Sequence, residues 1–324
     1  MALVVIVAAG TLLALDVYVH YRLARYAALN IWGYRGPVAG RKRPGERRIL
    51  VIGASTVFGV GYPPEQAFPA ALERGLQERS PFPVSVVNLG FPGENAYAFR
   101  SVLEDYRYLQ PDAVIFYGNN NITLTAPIVL RHESTVFRLT GYYPLLPTAM
   151  REKAMAMRQG GMSHHDEQVV FEPGLATRTG ASALADAAAV ADTLHKVLGP
   201  LTRAATDPSP APMGSCGDPW GSFCDAMHRA VAYARSQRLA VLVVNQPYMS
   251  DRQIEQQQAL QAMLRRQFGA DHDVHYLDLG WAIDLQDQTL SYDGGHLTPQ
   301  GNQQLAERLI EPARSLLAPA PAAR

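Results

Sequence analysis

Five short apolar runs, separated by longer segments, constrain the fold of this chain more than any other feature. The runs are Arg48–Gly53, Val84–Leu89, Ala113–Tyr117, Leu239–Asn245 and Val274–Leu279. They lack a regular alternation of polar and apolar residues, so they predict strands buried on both faces. The segments between and after them place apolar residues at helical spacing, over Glu65–Glu78, Asn95–Leu109, Ser222–Gln237, Arg252–Phe268 and Thr298–Leu317. The order predicts an α/β fold, with a five-stranded parallel sheet covered by helices on both faces.

The composition fits one large domain preceded by an anchor. The chain has 324 residues, of which 48% are apolar and 18% charged, which is enough to build a core of that size. We predict the domain at residues 48–318 and a disordered tail at 319–324. A long insertion, at about 123–221, separates the third and fourth strands. We expect it to cap the carboxyl edge of the sheet, where ligands bind in such folds.

The first 21 residues predict a transmembrane anchor. They are apolar from Ala2 to Leu15 and again at Val17–Val19, close to the ~18 residues that a minimal spanning helix needs. A cleaved signal peptide fits less well because no basic region precedes the run. An amphipathic core helix remains an alternative. Asp16 fits poorly in a membrane span, although the segment also lacks the polar face of an amphipathic helix. Residues 22–47 form a basic linker, in which we expect the cations to lie beside lipid headgroups.

The side of the membrane stays open from these residues alone. Arg22 and Arg25 follow the apolar run, and the positive-inside rule would then keep the domain in the cytoplasm. Cys216 and Cys224 are spaced so that a disulfide could close a small loop, which would require an oxidising compartment. Two unpaired cysteines are the alternative.

The stretch Ile49–Gly61 joins the first strand to a turn rich in small residues. Its glycines allow the backbone to turn tightly and to approach a ligand closely. Ser55 lies in this turn and is the candidate nucleophile. A phosphate-binding or capping serine is the alternative, but the glycine spacing is not G-x-G-x-x-G and no G-K-[ST] follows.

Side chains at the ends of other strands are predicted to meet Ser55. Gly90 and Asn120 follow the second and third strands, whose carboxyl ends share one edge with the first. Asp293 and His296 lie between the last strand and the last helix, so they can reach the same edge. A serine hydroxyl needs a base to take its proton, and a carboxylate fixes the tautomer of that base. Asp293 and His296 suit these two roles.

Other classes of function are disfavoured. The chain carries 29 basic and 29 acidic residues, so no global positive field predicts binding to nucleic acid. The cluster at 164–167 contains two histidines and two acids in succession, and consecutive residues of one short segment cannot all face a single ion. We therefore predict no metal site.

Four blocks, in chain order, resemble the SGNH/GDSL hydrolase family. They are G-A-S-T-V-F-G at 53–59, N-L-G at 88–90, Y-G-N-N-N at 117–121 and D-G-G-H at 293–296. The resemblance covers most of residues 48–316. It implies a flavodoxin-like three-layer α/β/α sandwich, catalysis without a metal or cofactor, and hydrolysis or transfer of ester-linked acyl groups.

The resemblance also implies a role for each site residue. Ser55, Asp293 and His296 correspond to the catalytic triad, and Ser55, Gly90 and Asn120 to the oxyanion hole. Two positions depart from the family pattern. Ala54 replaces the Asp of the name motif, and Asn121 replaces an acid in the third block. Neither is a catalytic position. The two departures would therefore change how the site loops are held in place, and which substrate is accepted, but not the triad.

Three functions follow from the resemblance together with the predicted anchor. The first is an esterase or deacylase that acts on an acylated envelope glycan or lipid through an acyl-enzyme on Ser55. The second is an acyltransferase that hands the acyl group to a polysaccharide, and the third is a noncatalytic binding or assembly protein. The family and the anchor together favour a periplasmic domain tethered to the membrane. Tyr142 and Tyr143, in the insertion, could line an acyl or sugar pocket or belong to a packed lid.

Overall fold

The computed structural model describes residues 2–23, 29–118, 130–146, 216–217 and 219–318. Its contacts divide the chain into two compact units. One consists of the described parts of residues 1–23, 31–33 and 131–208, and the other of those of 24–30, 34–130 and 209–324. The second unit contains the sheet and every predicted site residue except Asn120, which lies outside the described residues.

The sheet has five parallel strands, which confirms the predicted fold class. Its strands are β1 (Arg47–Ile52), β2 (Val84–Asn88), β3 (Ala113–Tyr117), β4 (Ala240–Val244) and β5 (Val274–Leu277). The order across the sheet is β2-β1-β3-β4-β5, the order of flavodoxin-like sheets. The direction of strand addition reverses beside β1, so a crevice is expected at the carboxyl end of that strand.

Eight α-helices accompany the strands in the described residues. They are α1 (Ala2–Leu23), α2 (Ser55–Phe58), α3 (Phe68–Arg79), α4 (Ala96–Asp105), α5 (Thr135–Thr140), α6 (Gly221–Ser236), α7 (Asp251–Phe268) and α8 (Pro299–Leu317). Single 3-10 turns occur at Pro64–Gln66, Arg107–Leu109 and Leu130–Glu133. Five of the helices correspond to the predicted ones. The predicted helix Asn95–Leu109 is divided, because α4 ends at Asp105 and a 3-10 turn follows.

Helices cover both faces of the sheet. Successive side chains of β1 point to opposite sides, so Ile49 and Val51 share a buried cluster with Leu72 of α3 and Leu309 of α8. On the other face, Phe99 of α4 stacks on Phe116 of β3, with ring centroids 5.6 Å apart and planes at 7°. The arrangement is a three-layer sandwich, as expected.

Charged residues of the predicted basic linker pair with residues of the sheet domain. Lys42 Nζ of the linker lies 2.6 Å from Asp112 Oδ2 of the domain, and the buried Arg48 at the start of the domain donates to Oε1 of the linker residue Glu46 at 2.8 Å. Burial alone would raise the pKa of Glu46, but hydrogen bonds from Ser85 and from the backbone of Arg43, together with the Arg48 charge, lower it to about 2. This part of the linker is therefore folded onto the start of the sheet.

Helix α1 carries two buried polar side chains, Asp16 and His20. Asp16 accepts hydrogen bonds from the Tyr142 hydroxyl and the Leu146 N–H, and His20 Nε2 lies 2.8 Å from the carbonyl oxygen of Tyr143. Tyr142 and Tyr143 thus pack within the same unit as α1. Among the described residues, no helix is long and apolar enough to cross a membrane. The structure does not support the transmembrane anchor predicted over residues 1–21.

A disulfide joins Cys216 to Cys224, with Cα atoms 5.9 Å apart. Cys224 lies in the first turn of α6, so the bond fixes the chain just where it re-enters the sheet domain. Most of the predicted insertion at 123–221, and the tail at 319–324, lie outside the described residues.

Candidate active site

The turn after β1 places Ser55 at the carboxyl edge of the sheet. Gly53 is required there because a Cβ would lie 2.4 Å from Val57 Cγ2 and 3.1 Å from the carbonyl oxygen of Tyr117. Ser55 then begins the four-residue helix α2, which ends at Gly59 in the left-handed conformation, at φ 77°. Strand β1, the close packing at Gly53 and the single turn of α2 together place the Ser55 hydroxyl at this edge. Ser55 is half-buried.

Ala54 occupies the N-cap of α2, and no side chain caps the helix there. Caps are usually Ser, Thr, Asp or Asn, whose oxygens accept from first-turn N–H groups. At Ala54 that acceptor is missing. The departure from the family motif thus leaves the first amides of α2 without a capping oxygen at this position.

The loop before α8 carries Asp293 and His296, the predicted acid and base. It is closed by an antiparallel bridge between Ser291 and Leu297. Gly294 turns the backbone with φ 77°. Asp293 Oδ1 accepts the backbone N–H groups of Gly295, at 2.9 Å, and of His296, at 2.7 Å. One carboxylate oxygen therefore shapes the loop, and the other is left to face the imidazole.

Ser55, His296 and Asp293 form one hydrogen-bonded chain. Ser55 Oγ lies 2.9 Å from His296 Nε2, and His296 Nδ1 lies 2.6 Å from Asp293 Oδ2. The tautomer that satisfies both contacts carries its hydrogen on Nδ1, which leaves Nε2 free to accept the serine proton. Although burial would raise it, the hydrogen bonds from His296 and Gly295 hold the pKa of Asp293 below its usual value. The carboxylate is ionised near neutral pH, as an orienting group requires.

Gly90 lies against the nucleophile turn. A Cβ at this position would be 2.3 Å from the backbone nitrogen of Phe58, so only glycine allows the β2 loop to approach so closely. Its N–H donates to Asn88 Oδ1 at 2.9 Å, and Asn88 Nδ2 donates in turn to the carbonyl oxygen of Val57 at 2.7 Å. Asn88 thereby ties the Gly90 amide to α2.

The structure does not describe all the predicted donors. Asn120 and its neighbour Asn121 lie outside the described residues, and so does the cluster at 164–167. Within the described part of the chain, no group of three or more His, Cys, Asp or Glu side chains is placed to hold a metal ion.

Tyr292 is a site residue to which the sequence analysis assigned no role. Its ring stacks on His296, with centroids 5.9 Å apart and planes at 17°, and meets Tyr62 edge-on at 5.7 Å. Its hydroxyl donates to the carbonyl oxygen of Val60 at 3.2 Å. The only sequence signal was an aromatic residue directly before Asp293. Tyr292 links the loop of the base to the loop of the nucleophile and limits the tilt of the imidazole.

A serine hydroxyl, an imidazole and an ionised carboxylate in one chain, at the edge of a parallel sheet, define the class of serine hydrolases. The sequence pattern of the GDSL-like lipase/acylhydrolase family matches residues 51–304. The chain belongs to this family, and it is an ester hydrolase. This confirms the resemblance that the four sequence blocks indicated.

Solved structures of low sequence identity are similar to this chain over most of its length. A family 3 carbohydrate esterase from Clostridium thermocellum is 12% identical, with a TM-score of 0.45, and the match covers 84% of this chain and 100% of that one. A lipase/acylhydrolase from Enterococcus faecalis is 14% identical, with a TM-score of 0.41, over 85% of this chain and 100% of that one. No curated protein matches the chain.

Proposed function

We propose that the protein hydrolyses ester-linked acyl groups through an acyl-enzyme on Ser55. The observation that carries this proposal is the hydrogen-bonded chain from Ser55 Oγ through His296 to Asp293. His296 Nε2 takes the hydroxyl proton while Oγ attacks the ester carbonyl, and the imidazolium then protonates the leaving alcohol. Water, activated by the same imidazole, releases the acid and frees Ser55. Asp293 stays ionised throughout and holds the imidazole in place.

The oxyanion that forms on attack needs donors. We assign them as the N–H groups of Ser55 and Gly90 and the side-chain amide of Asn120. Ser55 is the first residue of α2, so its N–H has no acceptor within the helix. The N–H of Gly90 is held by Asn88 Oδ1, and the oxyanion would share it. Preorganised donors of this kind contribute about 3 kcal/mol each to stabilisation of the transition state.

The substrate and the location belong to the same proposal. The open edge around His296, whose side chain is 32% exposed, suits an ester carried on a large molecule such as an envelope glycan or a lipid. The disulfide between Cys216 and Cys224 supports an oxidising compartment, and hence the periplasm. Mass spectrometry of protein taken from cells, with and without reductant, tests this location. Free thiols at both positions would contradict it.

A fluorophosphonate probe tests the chemistry directly. It should label the wild-type protein covalently, and Ser55→Ala should neither label nor hydrolyse p-nitrophenyl acetate above the uncatalysed rate. The substitution removes a half-buried hydroxyl only, so the thermal midpoint should stay within a few degrees of the wild type. A Ser55→Ala variant that hydrolyses the ester at the wild-type rate would refute the assignment. An intact protein that does not label would favour a noncatalytic role.

A further inference from the structure

Two loops at the carboxyl edge of the sheet present an aromatic pair, an exposed Trp281 and a half-buried Tyr248, beside the catalytic loop. Tyr248 follows β4 and Trp281 follows β5, and their rings meet edge-on with centroids 5.2 Å apart. The Trp281 side chain is 79% exposed, although indole is among the side chains that gain most from burial. Met249, next to Tyr248, is 54% exposed. We call these three residues the aromatic shelf.

The shelf is built rigidly. The buried Asn245 donates to Asp278 Oδ1 at 2.8 Å and accepts the Leu279 N–H at 2.5 Å, which locks the two loops together. Tyr248 donates its N–H to the carbonyl oxygen of Gly280 at 2.9 Å and its hydroxyl to Asp278 Oδ2 at 3.1 Å. A Cβ at Gly280 would lie 1.9 Å from the Tyr248 ring, so the ring rests directly on that backbone.

Trp281 is held outward by the turn that carries it. Leu279 and Ile283, two residues to either side, are only 6% and 4% exposed, and both belong to the main core cluster. The turn is therefore anchored at both ends while the indole between them faces solvent. Because the backbone that carries the indole is fixed, a ligand that covers the ring does not have to order the loop as well, which lowers the entropic cost of binding.

The shelf is continuous with the catalytic loop. Met249 Cε lies 3.4 Å from the position that a Cβ would take at Gly295, and Gly295 donates to the carboxylate of Asp293. A molecule whose ester reaches Ser55 can therefore extend across the catalytic loop onto Met249. The occupant that this geometry favours is the non-reacting part of the substrate itself.

The chemistry around the indole selects a sugar. Asp278 and Asp284, three residues to either side of Trp281, are exposed. Oδ1 of Asp278 already accepts from Asn245 and Gly280, and Oδ1 of Asp284 accepts the Gln286 N–H, so Oδ2 of each carboxylate has the larger capacity for a further donor. A pyranose ring offers an apolar C–H face that can stack on the indole and hydroxyls that can donate to carboxylates. An acyl chain would leave both carboxylates without new partners, and an anionic ligand would be repelled by them.

We propose that the aromatic shelf binds a neutral pyranose ring of an O-acylated glycan, next to the ring whose ester enters the site. This rests on the proposed function of Ser55. Trp281 stacks on the sugar, and Tyr248 and Met249 complete the surface that leads to His296. The shelf would then make the enzyme prefer esters on oligosaccharides to esters on single sugars.

The test compares esters with and without neighbouring sugar rings. The substrates are p-nitrophenyl acetate, p-nitrophenyl octanoate, and partially O-acetylated glucose, cellobiose and cellotriose. In the wild type, kcat/KM should rise from the acetylated monosaccharide to the trisaccharide. Trp281→Ala should lower kcat/KM for the trisaccharide roughly tenfold, mainly through KM, and leave p-nitrophenyl acetate within about twofold. Trp281→Phe should restore part of the loss.

Tyr108→Ala is the matched control. Tyr108 is 55% exposed, but it precedes β3 and so lies at the opposite edge of the sheet. This variant should behave as the wild type with every substrate. An equal loss for p-nitrophenyl acetate in Trp281→Ala would show that the residue supports the site instead of binding sugar, and would overturn the proposal. A loss confined to the octanoate ester would assign the shelf to an acyl chain and would also overturn it.

Two further outcomes separate the shelf from the catalytic proposal. Ser55→Ala should still bind unacetylated cellotriose in a calorimetric titration, and the double variant with Trp281→Ala should bind it at least fivefold more weakly. Failure of the single variant to bind, or equal kcat/KM for the three acetylated sugars in the wild type, would refute the shelf alone. Absence of both fluorophosphonate labelling and p-nitrophenyl acetate hydrolysis in the wild type would instead refute the role of Ser55.

Discussion

Replacement of Asn88 tests how the protein prepares its oxyanion site. This side chain is 8% exposed and makes two hydrogen bonds, with Gly90 N–H at 2.9 Å and with the carbonyl oxygen of Val57 at 2.7 Å. Asn88→Ala removes both. It breaks the tie between the loop after β2 and the helix that begins at the nucleophile, without touching the triad.

The expected loss of stability follows from these two contacts. A buried hydrogen bond contributes about 1 kcal/mol net, and an acceptor left buried without a partner adds about 1 kcal/mol more. The free energy of unfolding should therefore fall by about 2–3 kcal/mol. In a domain of this size each kcal/mol lowers the thermal midpoint by about 2–4 °C, so a decrease of roughly 5–10 °C is expected.

The effect on catalysis is separate. When Asn88 no longer orients the Gly90 amide, one donor to the oxyanion is weakened, and a fully lost donor lowers kcat by about 10²–10³-fold. We expect a smaller decrease, roughly 10-fold to 100-fold, with little change in KM because the interaction strengthens in the transition state. Steady-state kinetics with p-nitrophenyl acetate, well below the thermal midpoint, measure it.

Asn30→Ala is the matched control. Asn30 is also 8% exposed and bonds backbone groups, namely the carbonyl oxygen of Gly36 at 3.0 Å and the Tyr34 N–H at 3.5 Å, neither of which belongs to α2 or to the Gly90 loop. Because Asn30 bonds neither the Gly90 amide nor α2, Asn30→Ala should lose stability comparably and keep the wild-type kcat. If Asn88→Ala is destabilised as predicted but retains full kcat, then Asn88 only supports the fold and the reasoning about the Gly90 amide is wrong.

Two further predictions concern single carboxylates. Asp293→Asn should lower kcat by about 10³–10⁴-fold while the protein stays folded, because the neutral amide no longer fixes the His296 tautomer; a decrease of less than tenfold would exclude the orienting role. The pKa of Glu46 is lowered from 4.5 to about 2, so its contribution of about 3 kcal/mol is complete above pH 4.5 and is lost as the pH falls towards 2. Thermal midpoints between pH 7 and pH 3 should therefore fall more steeply for the wild type than for Glu46→Gln, and parallel curves would contradict this.

The strands were predictable because their signal is local. Each predicted run ends within two residues of the observed strand, and Ala113–Tyr117 agrees at both ends. A buried parallel strand must be apolar on both faces, and this requirement is visible in the sequence without knowledge of its neighbours. The order of blocks then indicated which loops share the edge with Ser55, since parallel strands deliver their carboxyl ends to one side.

The supporting contacts were not predictable in the same way. Asn88 and Tyr292 act through the backbones of Val57 and Val60, and those partners are set by how closely two loops approach. The N-terminal run shows the same dependence on distant partners. Its apolar residues indicate a helix, but the contact of Asp16 with Tyr142, far along the chain, could not be inferred from the run itself.

Ser55 and His296, which are in contact, lie 241 residues apart in the sequence. During synthesis of the chain, the first is therefore made well before the second. The base is held by the loop before α8, and α8 packs on α3, where the Phe68 N–H donates to Asn302 Oδ1 at 3.1 Å. At about 5–20 residues per second, a ribosome would release the nucleophile roughly 10–50 s before the base. During that interval the serine has no partner to activate it. With the roles proposed for Ser55 and His296, the newly made enzyme would stay inert towards esters until α8 has docked.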